Sequence, residues 1–443
     1  MINRRNFLRS SASASLASVT SPLWMHLTAS RAFAQLADGY KAIVVITMPG
    51  GNDGNNTVVP LDSAEYRQYA SLRPSLALQP DICHILNSST GGPTYGLHPS
   101  LRNVAALYNQ RQAAIVANVG PLQAPANKQQ LLANSDLAPS FLYSHPVGIA
   151  QWESASTTAA PDTGWGGRMA DLLTSYSGNL PPVLDVGPSS IFTVGRSVQA
   201  VAVQANTGNL AAIPGELESA ILAIAHSDAS STNEITSAAA KIRVAATQQE
   251  VILKQAQSSG SSISTAFPNS NFGNAMKAIA QVINGRSAVG ASRQIFYCIQ
   301  GFYDTHVNQL PLQWDNLAEL DAGLGAFMQA LAEIGLANQV LVCTHSDFSR
   351  SMQANSTGGT DHAWGNHQLV LGGGIQGGKV YGSMPDLDLG GSSDLSGQGT
   401  WIPTTSVTQM TAGIGSWMGL NSSQLSSVFP DLANFPTGRL SLT

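Results

Sequence analysis

The sequence predicts an α/β fold, a three-layer sandwich in which a mostly parallel sheet lies between helices, plus a helical insertion at about residues 208–283. Two observations carry that reading. Runs such as Lys41–Thr47 are apolar throughout instead of alternating, which is how a strand buried on both faces reads. These runs alternate along the chain with helical patterns, and strand–helix alternation builds a parallel sheet covered on both sides.

The amino-terminal segment comes first. Arg4-Arg5-Asn6-Phe7-Leu8 precedes a weakly apolar Ser/Ala/Leu run and a small-x-small site at Ala32-Phe33-Ala34. This pattern resembles a twin-arginine export signal over residues 1–34, so the twin-arginine translocase is an expected partner and the mature protein is expected to be periplasmic or secreted. The segment carries four arginines and no acid, so its removal shifts the net charge from −5 to −9. An acidic chain with 11% charged residues offers no footprint for nucleic acid. No stretch reaches the roughly 18 apolar residues of a spanning helix. Three widely spaced cysteines, Cys83, Cys298 and Cys343, make no disulfide framework, although one bridge stays open.

Lys41–Thr47 reads as the first strand and breaks at Pro49-Gly50-Gly51. Further strands are expected at Ala113–Val119, Arg293–Ile299, Gln339–Thr344 and His367–Leu371. Helical periodicity marks Ser100–Gln110, Leu317–Ile334 and Trp401–Leu420. From Gly208 to Ile283 the chain turns to long Ala/Gln/Ser/Ile-rich helices, and Asp386–Gly399 reads as an exposed loop.

In an open parallel sheet, ligands bind at the carboxyl ends of the strands. Four loops there concentrate the chemistry. Gly50-Gly51-Asn52-Asp53-Gly54 follows the first strand, and is equally an Asn/Asp/Gly turn. Asp304 and His306 follow Arg293–Ile299. His345, Asp347 and Arg350 follow Gln339–Thr344, and Asp361, His362 and His367 lead into the last strand. Such a mixture of carboxylates and imidazoles suits a divalent metal, Zn, Mn or Ca. Ser144, before His145-Pro146, stands where a helix begins, either as a cap or as a nucleophile beside an anion site.

These segments in this order, with Gly96-Leu97-His98-Pro99, Trp152, Thr163-Gly164-Trp165 and Gln309, resemble a twin-arginine-exported bacterial family of unknown function. That family is distantly similar to the alkaline phosphatase/sulfatase superfamily. The resemblance implies a hydrolase that cleaves a phosphate or sulfate ester, of a small molecule or saccharide, at two metal ions. It implies Asp53, Asp304, His306, Asp347 and His362 as metal ligands, and Ser144 as nucleophile. Arg350 or Arg168 would hold the anion, and His362 would be a ligand or a general acid/base. Two departures point to an alternative, a non-catalytic binding or assembly protein: Phe348 follows Asp347 where a histidine is usual, and Asp304 and His306 lie two residues apart instead of four. In that alternative Trp165 and Trp364 are expected to be exposed for stacking on sugars.

Overall fold

The computed structural model describes residues 39–174, 178–203 and 215–443; the expected leader, residues 1–34, lies outside the described residues. The central sheet has nine strands: β1 (Lys41–Thr47), β2 (Ala113–Gly120), β3 (Val183–Val186), β4 (Val201–Val203), β5 (Arg293–Ile299), β6 (Val340–His345), β7 (Asn366–Gly372), β8 (Val380–Tyr381) and β9 (Thr405–Ser406). Their order across the sheet is β8-β2-β7-β6-β1-β5-β3-β4, with β9 also beside β2.

β1 occupies the centre, parallel to β5 on one side and β6 on the other. Its side chains alternate between two cores. Ala42, Val44 and Ile46 pack with the helices Arg102–Asn109, Asn271–Asn284 and Gln309–Glu333. Ile43 and Val45 pack on the opposite face with His145–Ser154, Trp165–Leu173 and Val407–Trp417. Both faces are dry, so every position must be apolar and no alternation appears in the sequence.

One strand of the mostly parallel sheet is reversed. β7 runs antiparallel to both β6 and β2. Reversal brings the start of β7, and the segment before it, to the same edge as the carboxyl ends of β1, β5 and β6. That edge therefore receives Asp361 and His362, carried on the short strand Thr360–His362 that pairs with Arg350–Ala354, from a segment that a parallel strand would have left on the far side. β3 and β4 were not read from the sequence because each is only three or four residues long.

Helices occupy Gly215–Asp228, Glu234–Ser259 and Asn271–Asn284. The third belongs to the main core, burying Phe272, Met276, Ile279 and Ile283. All three cysteines are free thiols. Cys298 and Cys343 lie on opposite faces of the sheet, which closes the question of a bridge between them. Among the described residues, no helix is long and apolar enough to cross a membrane.

Candidate metal centre

The loop after β1 is pressed directly onto the loop after β5. Gly50 and Gly51 have φ of +103° and +80°, a backbone region that side chains disfavour. A Cβ on Gly50 would stand 2.3 Å from the Asp304 amide nitrogen. The Tyr303 amide donates to the Pro49 carbonyl at 2.7 Å. Residues 302–307 run without helical structure, and in extended backbone residues two apart face the same way. Asp304 and His306 thus meet on one side, with His306 Nε2 3.1 Å from Asp304 Oδ1.

The helix His145–Ser154 approaches from the other face. Gly148 lets its first turn touch the Asp347 backbone, where a Cβ would lie 2.9 Å from the Asp347 carbonyl oxygen. This contact sets His145 Nδ1 2.6 Å from Asp347 Oδ2, and the same oxygen accepts the Gly50 amide at 3.2 Å. A carboxylate oxygen without a proton can only accept, so Nδ1 carries the hydrogen and Nε2 presents its lone pair. His145 Nε2 is buried, lies 3.4 Å from Asp304 Oδ2, and makes no hydrogen bond.

His362 is fixed by the same logic. Its Nδ1 donates to the Tyr143 carbonyl at 2.8 Å, leaving Nε2 as the acceptor. That atom is 3.5 Å from Asp304 Oδ1 and 2.9 Å from His306 Nε2. Only one proton fits between two ring nitrogens, so it belongs to His306 Nε2, which also faces Asp304 Oδ1 at 3.1 Å; donation to that oxygen leaves the His362 lone pair open to a cation. The ligand atoms of His145, Asp304 and His362 lie within 4.8 Å of one another. Two imidazole lone pairs and a carboxylate thus converge, each histidine oriented by a partner on its far nitrogen. That donor set fits a divalent cation.

The electrostatics agree. Burial works against the charge of Asp304, but Arg350, with His145 and His306, outweighs it and holds the carboxyl below its usual range. The Asp347 hydrogen bond raises the basicity of His145 against the opposing effect of burial. Burial lowers that of His362, and the neighbouring cations add to the effect.

Several expected site residues fall elsewhere in role. Asp53 is buried and does not face this cluster with a free oxygen. It accepts from Arg73 Nη1 at 3.2 Å and Nη2 at 2.6 Å, from the Asn55 amide at 3.0 Å, and from the Gln309 side chain. Arg350 is fully buried. Its guanidinium donates to the carbonyls of Gly51, Thr360 and Gly50 and to Asp304 Oδ1 at 2.5 Å, so it builds the site and does not reach out of it. Arg168 donates to Val428, Thr163 and Ser154 and is used up between helices. His345 is buried against the Trp152 and Trp165 rings; His367 accepts from the Asn118 amide at 3.0 Å. Trp165 and Trp364 are fully buried, which removes them as stacking surfaces.

Ser144 holds the N-cap position of its helix without a side-chain capping bond. It lies between Tyr143, whose carbonyl holds His362, and His145 itself. His145 is the residue that the sequence reading passed over. Its only signal in the sequence is a histidine opening a helix in the Ser144-His145-Pro146 segment, with no acid nearby to mark it as a ligand.

Fold and site together define an α/β protein with a His/Asp centre at the carboxyl edge of its parallel strands. Residues 40–429 match the family described as protein of unknown function (DUF1501), and the chain belongs to that family. No curated protein matches it. Among solved structures it is similar to a phosphonate monoester hydrolase of Agrobacterium radiobacter, with 10% identity, 86% of this chain and 74% of that one covered, and a TM-score of 0.36. It is also similar to a lipoteichoic acid synthase of Listeria monocytogenes, with 8% identity, 91% and 77% covered, and a TM-score of 0.34. A Pseudoalteromonas sulfatase gives 10% identity, 82% and 69% covered, and a TM-score of 0.32.

Proposed function

We propose that the protein is an exported, metal-dependent hydrolase of a phosphate or sulfate ester. The observation that carries this reading is the convergence of His145, Asp304 and His362, with Ser144, next to His145 in sequence, making no side-chain capping bond. Two imidazoles favour Zn or Mn over Ca, which prefers oxygen ligands. When bound, such an ion supplies positive charge against the negative oxygens of the ester.

The chain's own residues have distinct roles in this proposal. Ser144 Oγ passes its proton to solvent water and bonds to phosphorus or sulfur as the ester oxygen departs. His306, the most exposed imidazole of the cluster at 43%, donates a proton to that departing oxygen. Water then cleaves the serine ester and restores the hydroxyl. Arg350 holds Asp304 in place. The twin-arginine leader pattern supports export, and with it the translocase as a transient partner.

A second reading has its own observation. Arg350, Arg168 and Arg73 are all committed to internal partners, so none of these three is free to clamp an anion, which favours a binding protein without turnover. Turnover of aryl phosphate and aryl sulfate by the Zn- or Mn-loaded protein, abolished by chelator and by Ser144→Ala, is the expected result. Tight binding of phosphate or sulfate with no turnover of either ester would transfer the protein to the second class.

A further inference from the structure

We infer that this centre is built for one cation and not two, that Asp347 is a positioning carboxylate behind His145, and that Asp53 is a structural carboxylate paired with Arg73, neither of them a ligand. The inference rests on the metal reading above. Its first support is the saturation of Asp53. A carboxylate offers about four lone-pair directions, and Arg73 takes two of them, the Asn55 amide a third and the Gln309 side chain the fourth. Both side chains of the Asp53–Arg73 pair are essentially inaccessible, at 1% and 0% exposure. The Arg73 guanidinium thus already neutralises the carboxylate that a second ion would need. Breaking a buried pair from one side leaves an unpaired charge, so the pair does not open to admit a metal.

Asp347 is committed differently. Its Oδ2 holds the His145 Nδ1 hydrogen and the Gly50 amide, while Oδ1 lies 3.4 Å from the Ser346 hydroxyl. This is the arrangement of a carboxylate behind a ligating histidine, which fixes the ring and raises its basicity. Charge counting agrees. Asp53, Asp304, Asp347 and the rim residue Asp361 bring four negative charges, and Arg73 and Arg350 return two. One divalent ion brings the remainder to zero, whereas two would leave two uncompensated positive charges.

The test is native mass spectrometry of the full mature chain titrated with Zn²⁺ or Mn²⁺, with affinity measured by calorimetry. One ion per chain is expected. Asp347→Asn should weaken binding by about 10- to 100-fold with the stoichiometry unchanged. The paired change Asp53→Asn with Arg73→Leu, which strands no buried charge, should bind one ion with wild-type affinity. Two ions in the wild-type protein would overturn the inference and leave the metal reading standing. So would loss of the ion from a folded Asp53→Asn/Arg73→Leu chain. No bound ion at all would overturn the metal reading itself.

Discussion

At the scale of single residues, what counts at this site is which atom is spare. His145 and His362 each spend one nitrogen on the protein and aim the other inward. His345, on the neighbouring strand, is sealed between two tryptophans, and burial drives its basicity down to a pKa of about 3. Sequence spacing cannot separate His345 from His362, because both sit beside acids or strand ends. The end of β6 decides: His345 is its last residue and stays in the core, whereas the chain bends at Asp347 and leaves the sheet. A second buried carboxylate sits outside the centre. Burial raises Asp185 to a pKa of about 7, only partly offset by the Thr193 hydroxyl, which bonds Oδ2 at 3.0 Å. Below pH 4 both folded and unfolded chains hold this proton. Between about pH 4 and 7 the unfolded chain ionises first, so stability falls as pH rises and the loss is complete above 7. Three pKa units correspond to at most about 4 kcal/mol. Asp185→Asn should therefore be more stable than wild type at pH 8 and nearly equal at pH 4, by urea denaturation. Curves that differ equally at both pH values would exclude this origin.

Elements determine whether the spare atoms meet. The long apolar strands β1, β2, β5, β6 and β7 are legible because burial on both faces leaves an uninterrupted apolar run. Their direction is not legible: β7 has the same composition whether parallel or antiparallel, and its reversal delivers His362. The two turns that join loop to loop depend on glycine. Gly50→Ala would need φ of +103° and would drive a methyl group into the Asp304 amide. A loss of about 2 kcal/mol or more is expected, together with weakened metal binding, because Asp304 must shift. Gly92→Ala, also at positive φ but facing open space, is the control: it should cost stability without touching metal affinity. Equal effects on metal affinity would show that the close contact at Gly50 does not position Asp304. The Asp53–Arg73 pair was invisible for a related reason. Arg73 lies at the end of a helix twenty residues on, with no motif that announces its partner.

For the whole molecule, the centre ties together segments that are far apart in sequence: residue 145 from a helix, 304 from the loop after β5, and 362 from the short strand before β7. A ligand that binds only the folded chain stabilises it by mass action, by about 2.7 kcal/mol at a hundredfold excess over Kd. Saturating Zn²⁺ or Mn²⁺ should raise Tm by several degrees, with His145→Ala abolishing the gain; an unchanged Tm in wild type would count against the centre. Composition had indicated a low-charge scaffold. The structure locates several of its acids in compensated pairs, which explains how so few charges support a concentrated site. The placement of β1 has one more consequence, for synthesis. Both its partners, Arg293–Ile299 and Val340–His345, are made long after it. At about 5–20 residues per second on the ribosome, the interval to the second is on the order of 15–60 s. Until Arg293–Ile299 is made, on the order of 12–50 s at that rate, β1 has neither neighbour, and until Val340–His345 follows it has only one, so cotranslational folding of the sheet centre is closed to this topology. Assembly must wait until residue 345 has been made, with the early chain sheltered until then.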